Sequence, residues 1–374
     1  MNAATAGAPP AASAAPRPAI RVSPVDVEGV RARAQLEIDE FLARRTVLLS
    51  DISPDLAPLT GAVTQLMTTG KRLRAAFCYW GWRGAGREDA PGLIAAAASL
   101  ELFHAAALVH DDVMDDSDTR RGHETVHRRF ERLHSQQGLR GLAERHGTAA
   151  AILAGNLCQT WADEMLAGCG LPEASVRRGR RVFDLMRTQV VGGQYLDVLQ
   201  QALGTADPHR LSTVLRYKSA KYTVEHPLLL GGALADAPPA LLASYSAFGL
   251  PLGEAFQLRD DVLGVFGDPV RTGKPDSDDL RDGKRTQLVS LAEKRASRAQ
   301  RRILAVHLGD PDLDDDAAAS LRTVLLDTGA VAEVERSIAR LTRHACRALD
   351  TAPLDPTARE VLSELAAAAT TRTA

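Results

Sequence analysis

A long apolar run that ends in a burst of aspartates constrains this chain more than any other feature. After Pro91, helical spacing runs from Leu93 to Met114 and closes on Asp111-Asp112-Val113-Met114-Asp115, followed by Asp116, Asp118 and the pair Arg120-Arg121. No uncharged apolar run reaches the ~18 residues of a membrane span. Residues three or four apart are neighbours on a helix, which puts Asp111 and Asp115 on one face, one turn apart. Two carboxylates so placed resist joint desolvation unless a cation sits between them. Oxygen-only ligands select a hard ion, Mg²⁺ first, with Mn²⁺ as its substitute. The adjacent arginines point to a phosphate as the ion's partner. The plain alternative is a solvated acidic helix end.

Composition narrows the setting. Aromatic residues are 4% of the 374 while Ala and Leu abound, which favours helices over sheets. No strand alternation of useful length interrupts the helical spacing. A net charge of −2 gives no support for a nucleic-acid or membrane-surface partner. Cys78, Cys158, Cys169 and Cys346 form no Cys-x-x-Cys pair. They read as reduced thiols of a cytoplasmic protein, not as a zinc site or disulfide framework. Residues 1–24 are rich in Ala and Pro, carry no convincing signal peptide and read as a disordered tail. Residues 25–370 are expected to form one all-α domain, a large helical bundle.

The lysines are informative. Of 45 basic residues only Lys71, Lys218, Lys221, Lys274, Lys284 and Lys294 are lysines. A chain so biased toward Arg keeps Lys where a compact, flexible ammonium is needed. Five of the six fall in stretches notable on other grounds. Gly70-Lys71-Arg72-Leu73-Arg74 precedes an apolar helix, and a basic helix start with exposed N–H groups suits an anion. Arg216-Tyr217-Lys218-Ser219-Ala220-Lys221 lies between two helical segments. A second apolar helix, Leu241 to Val265, carries Asp260-Asp261, and Lys274 and Lys284 follow at once. Its carboxylate pair mirrors Asp111-Asp112. Two turns before Asp111, His104 shares its face; a satisfied core histidine is the plain reading. Gln194 and Asp197, three apart on the Val182–Leu199 helix, read equally well as a buried helix–helix contact. Gly138 to Gly147 reads as a loop.

Two acidic walls with separate basic clusters suggest a cage for several Mg²⁺ ions and two diphosphates. No Gly-x-Ser-x-Gly, Cys/His arrangement or Gly-x-x-x-x-Gly-Lys-Ser/Thr loop is present, so no nucleophile or nucleotide loop competes with that reading. Charge placement and a dry pocket would then do the chemistry, as a diphosphate departs and leaves a carbocation.

At these residues, from about Leu42 to Leu349, the chain resembles the trans-prenyl diphosphate synthases of the polyprenyl synthetase family. Asp111-Asp-Val-Met-Asp115 with Arg120-Arg121-Gly122 matches the family's first aspartate-rich motif. Gly70-Lys-Arg-Leu-Arg74 matches its isopentenyl-diphosphate motif, and Gly193-Gln194-x-x-Asp197 also matches. The resemblance implies Mg²⁺ held by Asp111, Asp115, Asp260 and Asp261. It implies an allylic diphosphate (dimethylallyl, geranyl or farnesyl) assisted by Arg120, Lys218, Ser219, Gln257, Lys274 and Lys284. Isopentenyl diphosphate would lie with Lys71, Arg72, Arg74, His104 and Arg121. The allylic C–O bond ionises, the isopentenyl double bond attacks C1, and a proton leaves to the released diphosphate. A homodimer is the family expectation.

Three positions depart from the family pattern. Gly264 stands where the second motif has its last aspartate, a form that resembles an actinobacterial-type subgroup of active enzymes; Asp268 is available to compensate. Glu124 replaces a common Pro, and Asn156 a usual Asp. Product length is expected to depend on the helix below Asp111, where Ala107 and Ala106 leave room and Phe103 is the first bulky residue. At ~1.5 Å per residue Phe103 lies about 12 Å down, space for an allylic tail of two or three units and a C15 to C20 product. The subgroup resemblance favours C20, geranylgeranyl diphosphate. A block on a neighbouring helix would leave longer products open. Two other classes compete. A class I terpene cyclase would use the same first motif, and Asn156-x-x-x-Thr160-x-x-x-Glu164 has the spacing of its second. That stretch follows the first aspartates too closely to form a facing wall. A non-catalytic partner subunit is the other class, prompted by Gly264.

Overall fold

A computed structural model describes residues 23–204, 207–267 and 277–371. The expected tail lies outside the described residues up to position 22; Pro24–Gly29 already form a short helical turn. Lys274 and Asp268 also lie outside the described residues.

The chain is an all-α bundle. Its first half runs α1 (Val30–Ile52), α2 (Ala57–Met67), α3 (Leu73–Gly84), α4 (Pro91–Met114), α5 (Val126–Gln136), α6 (Ala143–Ala167) and α7 (Glu173–Leu203). Then come α8 (Pro208–Val214), a π-helix (Leu215–Glu225), α9 (His226–Leu234) and α10 (Pro239–Phe266). Shorter helices follow, then Ala330–Asp350 and Pro356–Thr370. Among the described residues the only strands are Thr119–Arg120 and His123–Glu124, a two-residue hairpin pair. The Gly138–Gly147 loop is shorter than its composition predicts, because Ala143 already opens α6. Packing against α5 outweighs the local glycine penalty there.

Helix α4 is the axis. Among the described residues it alone is long and apolar enough to cross a membrane, yet 72% of its most apolar window is buried inside the fold. Leu93, Leu100, Leu102 and the alanines at 96, 97 and 98 are fully covered. The main core gathers α1 to α7, α9, the first half of α10 and the last helix. A second core joins the end of α10 to helices between Leu280 and Ile338. Helix α10 thus spans both, and its aspartates lie near their junction.

The crossing of α3 and α9 is unusually close. A Cβ on Gly81 would stand 2.4 Å from the Leu228 carbonyl oxygen, and one on Gly231 would stand 1.9 Å from the Cys78 oxygen. Neither helix has slack, because their faces are buried on both sides. This contact fixes Arg74 at the start of α3 against the π-helix leading into α9. Overpacked cores commonly lose about 1–3 kcal/mol. Gly231→Ala, whose clash is with backbone, is expected to lose at least the upper end, read as a fall in denaturant midpoint. An unchanged midpoint would show that the two helices can slide apart.

Candidate active site

Fourteen of the residues singled out by sequence line one cavity of about 1060 Å³: Lys71, Arg72, Arg74, His104, Ala107, Asp111, Arg120, Arg121, Lys218, Ser219, Gln257, Asp260, Asp261 and Lys284. They come from the loop before α3, from α4, the hairpin, the π-helix, α10 and the turn after the short helix Asp278–Arg281. A cavity of this size is at the upper end of ligand sites.

On the first wall, Asp111 accepts hydrogen bonds from Lys218 Nζ at 3.0 Å and Gln194 Nε2 at 2.9 Å. Lys218 also donates to Asp197 at 2.6 Å. Burial works against the Asp111 carboxylate, but Lys218, Lys284 and Arg120 overcome it and hold its pKa down to about 2. Asp115 caps the end of α4. Its side chain is only 2% exposed, and neither carboxylate oxygen has a hydrogen-bond partner. Lys284 Nζ approaches to 3.3 Å as an ion pair without hydrogen-bond alignment. Burial and repulsion from Asp111 raise the Asp115 pKa.

The second wall is α10 and the described segment that carries Asp279 and Lys284. Gln257 Nε2 donates to Asp261 Oδ1 at 2.8 Å. Burial, and then the charges of Asp279 and Asp260, push the Asp261 pKa up to about 7. Lys284 stands between the walls, 3.3 Å from Asp115, 3.2 Å from Asp279 and 3.7 Å from Asp282. Among the described residues no three His, Cys, Asp or Glu side chains converge into a ready-made metal cage. The donors nonetheless suit Mg²⁺, which takes one or two protein carboxylates and completes its shell with water and phosphate oxygens. The orphaned oxygens of Asp115 are what such an ion would satisfy.

The basic end is built differently. Arg72 and Arg121 both adopt left-handed backbone, at φ 52° and 54°, a strained conformation that collects at functional sites. Arg74 lies over the Tyr222 ring at 4.1 Å and donates to Thr223 Oγ1 at 3.0 Å. Arg121 donates to the Thr69 carbonyl at 2.8 Å and lies 3.5 Å from His104 Nε2. An arginine only donates, so Nε2 is the acceptor and Nδ1–H faces the Tyr222 hydroxyl. Burial and four nearby arginines hold the His104 pKa well below its usual value, so the imidazole is neutral. Arg72 differs from the expected free anion clamp. Its guanidinium is 2% exposed and already engages Gln35, the Met67 carbonyl and Glu101.

The π-helix explains how Lys218, Ser219, Tyr222 and Thr223 all reach the cavity. Its wider turn changes which residues share a face, and such segments recur at functional sites. Helical spacing in the sequence carries no sign of it. Tyr222 and Thr223 were therefore not expected in the cavity, and Glu101 and Asp279, on other elements, were not expected there either. Glu101 had one available signal: it is the lone charge within the apolar part of α4. Of the chain-length residues only Ala107 lines the cavity. Ala106 is buried elsewhere on α4. Phe103 stands one layer back, edge-on to Phe183 at 5.9 Å and to Tyr222 at 6.0 Å. Asp112, read as supporting or solvated, is buried and grips Arg120. Asp116 and Asp118 are exposed and pair with Arg128. Asn156, Thr160 and Glu164 are exposed on the outer face of α6, so the cyclase-like spacing builds no wall. Glu124 is exposed and pairs with Arg132 at 2.9 Å.

Residues 57–324 match the family described as polyprenyl synthetase. The chain belongs to that family. It is 32% identical to geranylfarnesyl diphosphate synthase of Aeropyrum pernix over 320 residues, 84% of this chain and 93% of that protein. It is 30% identical to the (2E,6E)-farnesyl diphosphate synthase of Mycobacterium tuberculosis, covering 75% of this chain and 73% of that one. A crystal structure of geranylgeranyl pyrophosphate synthase from Corynebacterium glutamicum, complexed with isoprenyl diphosphate and magnesium, superposes with a TM-score of 0.88. That pair shares 36% identity over 94% of this chain and 99% of that one. The chain is accordingly a prenyltransferase with the all-α isoprenoid synthase fold, and a divalent metal belongs to its chemistry.

The opposed needs of folding and catalysis meet at Asp115. Asp115→Asn is expected to leave the melting temperature of the metal-free protein unchanged or raised, because it removes a buried charge repelled by Asp111. The same variant should lower turnover by about 100-fold or more, the scale of losing one charge-stabilising group. A fall in both would mean that the Asp115–Lys284 ion pair is structural.

Proposed function

We propose that this chain condenses isopentenyl diphosphate with allylic diphosphates, head to tail and in trans geometry, to give a short-chain prenyl diphosphate, with geranylgeranyl diphosphate as the main product. The observation that carries the reading is the pairing of two acidic walls with two distinct basic groups around one cavity. Lys218 and Arg120 lie on the allylic side, beside Asp111. Arg74, Arg121 and His104 cluster at the other end, and Lys71 lines the same cavity. A cyclase needs no second basic group, and a non-catalytic subunit has no need of an intact first motif.

Asp111, Asp115, Asp260 and Asp261 would hold Mg²⁺, three ions in the full complex, with Mn²⁺ as a substitute. Bound there, the metal supplies charge neutralisation for the departing diphosphate. Lys218 and Lys284 place fixed ammonium charge beside the same oxygens. Arg74 and Arg121 orient isopentenyl diphosphate so that its double bond faces the allylic C1, and proximity of this kind supplies a large share of such a barrier. His104, held neutral, donates from Nδ1 to Tyr222 and leaves the tyrosine proton free to meet an anion. Ala107 opens the way for the tail, and the Tyr222 ring backed by Phe103 closes it.

The exposed apolar face of α6 and α7, with Ile152, Leu153, Leu185, Val191 and Tyr195, supports a homodimer. All four cysteines are free, in keeping with a reducing cytoplasm.

Purified protein with Mg²⁺, isopentenyl diphosphate and each allylic primer should yield C20 product, and a chelator should abolish it. No condensation with any primer sinks the reading. Phe103→Ala should let the Tyr222 ring withdraw and lengthen the product by one unit or more. An unchanged product length would move the floor to another helix.

A further inference from the structure

Helix α3 starts without a cap of its own. Its boundary residue, Arg72, has left-handed backbone and makes no side-chain cap hydrogen bond, and a guanidinium only donates. The first amides of a helix have no partner within the helix. The third of them here, Ala75 N, donates instead to Glu101 Oε1 at 3.1 Å. A carboxylate from α4 thus does what a local serine or aspartate does at other helix starts, and its charge also suits the positive end of the helix dipole. A basic helix start was expected to receive an anion, and the protein already supplies one.

The other oxygen faces the arginines. Glu101 Oε2 forms an ion pair with Arg72 Nη1 at 3.8 Å, and the two side chains are only 3% and 2% exposed. Arg72 is drawn further inward by Gln35 at 3.1 Å and by the Met67 carbonyl. Arg121 lies close by: a Cβ built on Gly70 would stand 2.9 Å from Arg72 Nη1 and 3.2 Å from Arg121 Nη1. Two guanidinium groups therefore meet across a residue that has no side chain. Burial lowers the pKa of both, and Glu101 is the foremost charge opposing it in each. Glu101 also lines the cavity beside Lys71, Arg74, His104 and Arg121.

We propose that Glu101 is a positioning residue: a built-in anion that occupies the start of α3 and neutralises Arg72, so that an incoming diphosphate stops at Arg74 and Arg121 and goes no deeper. The inference rests on the prenyl diphosphate synthase reading and deepens it. A diphosphate carries the same charge as Glu101 and competes for the same amides and the same guanidinium. With the carboxylate in place, the deep position is both filled and repelling. Without its charge, the diphosphate binds more tightly and sits lower, and the isopentenyl double bond is carried away from the allylic C1. Tighter binding and slower chemistry then go together, which a purely structural role for Glu101 does not produce.

The test uses full-length protein, with calorimetric binding of inorganic pyrophosphate in the absence of metal, melting of the metal-free form, and kinetics with isopentenyl diphosphate varied. Glu101→Gln keeps an oxygen for the Ala75 N–H and removes the charge. It is expected to bind pyrophosphate about tenfold more tightly, the scale of one unpaired charge near an anion. Its kcat should fall about tenfold or more, as with a misplaced reactant, while KM for isopentenyl diphosphate stays level or falls. Its melting temperature should fall, and pyrophosphate should raise it by more than it raises the parent's. Arg72→Gln alone should weaken pyrophosphate binding, and Arg72→Gln/Glu101→Gln should return affinity and kcat toward the parent. The proposal is overturned if Glu101→Gln weakens pyrophosphate binding and raises KM, or if it matches the parent in binding and kcat. It is equally overturned if Arg72→Gln leaves binding unchanged, if the double variant is no closer to the parent than Glu101→Gln, or if pyrophosphate binds none of these proteins. A parent that condenses no substrate overturns the function reading alone; pyrophosphate binding and the melts then still decide the place of Glu101.

Discussion

Like charges gathered in a half-dry cavity repel, and the rest of this structure is arranged around holding them there. Asp111 and Asp115 approach from α4, Asp260 and Asp261 from α10, and Asp279 from the segment beyond. Two lysines keep the collection together. Lys218 joins Asp111 to Asp197. Lys284 joins Asp115 to Asp279 and so spans the walls. Burial lowers the pKa of an amine, yet the surrounding carboxylates raise both lysines above their ordinary value. Each ammonium stays charged, and each sits where incoming cations must compete or share. The scarcity of lysine elsewhere in an arginine-rich chain makes sense in this light: a compact ammonium on a flexible stem can reach two or three carboxylates at once.

Much of this was legible in the residues. The apolar length of α4 and the i, i+4 spacing of Asp111 and Asp115 are properties of a straight helix, and a straight helix is what formed. The second acidic helix and the basic cap before α3 were readable for the same reason. Their signals are local: a run of apolar residues, then charge, within a few turns.

What escaped the sequence depends on contacts between distant segments. The π-helix has no periodic signature, so Tyr222 and Thr223 could not be placed in the cavity from spacing. Arg72 sits in a basic motif beside Arg74, but left-handed backbone and the buried acceptors Gln35, Met67 and Glu101 turn it inward. Asp112 looked redundant between two better-placed aspartates, and only the fold shows it gripping Arg120. Phe103 is bulky and below the site, as its place on the helix implies, yet a tyrosine from another element stands in front of it.

Arg120 and Arg121 are adjacent in the chain and turn to opposite tasks. The first is held by Asp112 and leans toward Asp111; the second reaches Thr69 and His104 at the other basic end. A single peptide unit therefore separates the guanidinium beside the first acidic wall from the one at the other basic end. Turning that peptide plane to improve one guanidinium moves its neighbour as well. The hairpin that carries them ties both ends of the site to one short stretch of backbone.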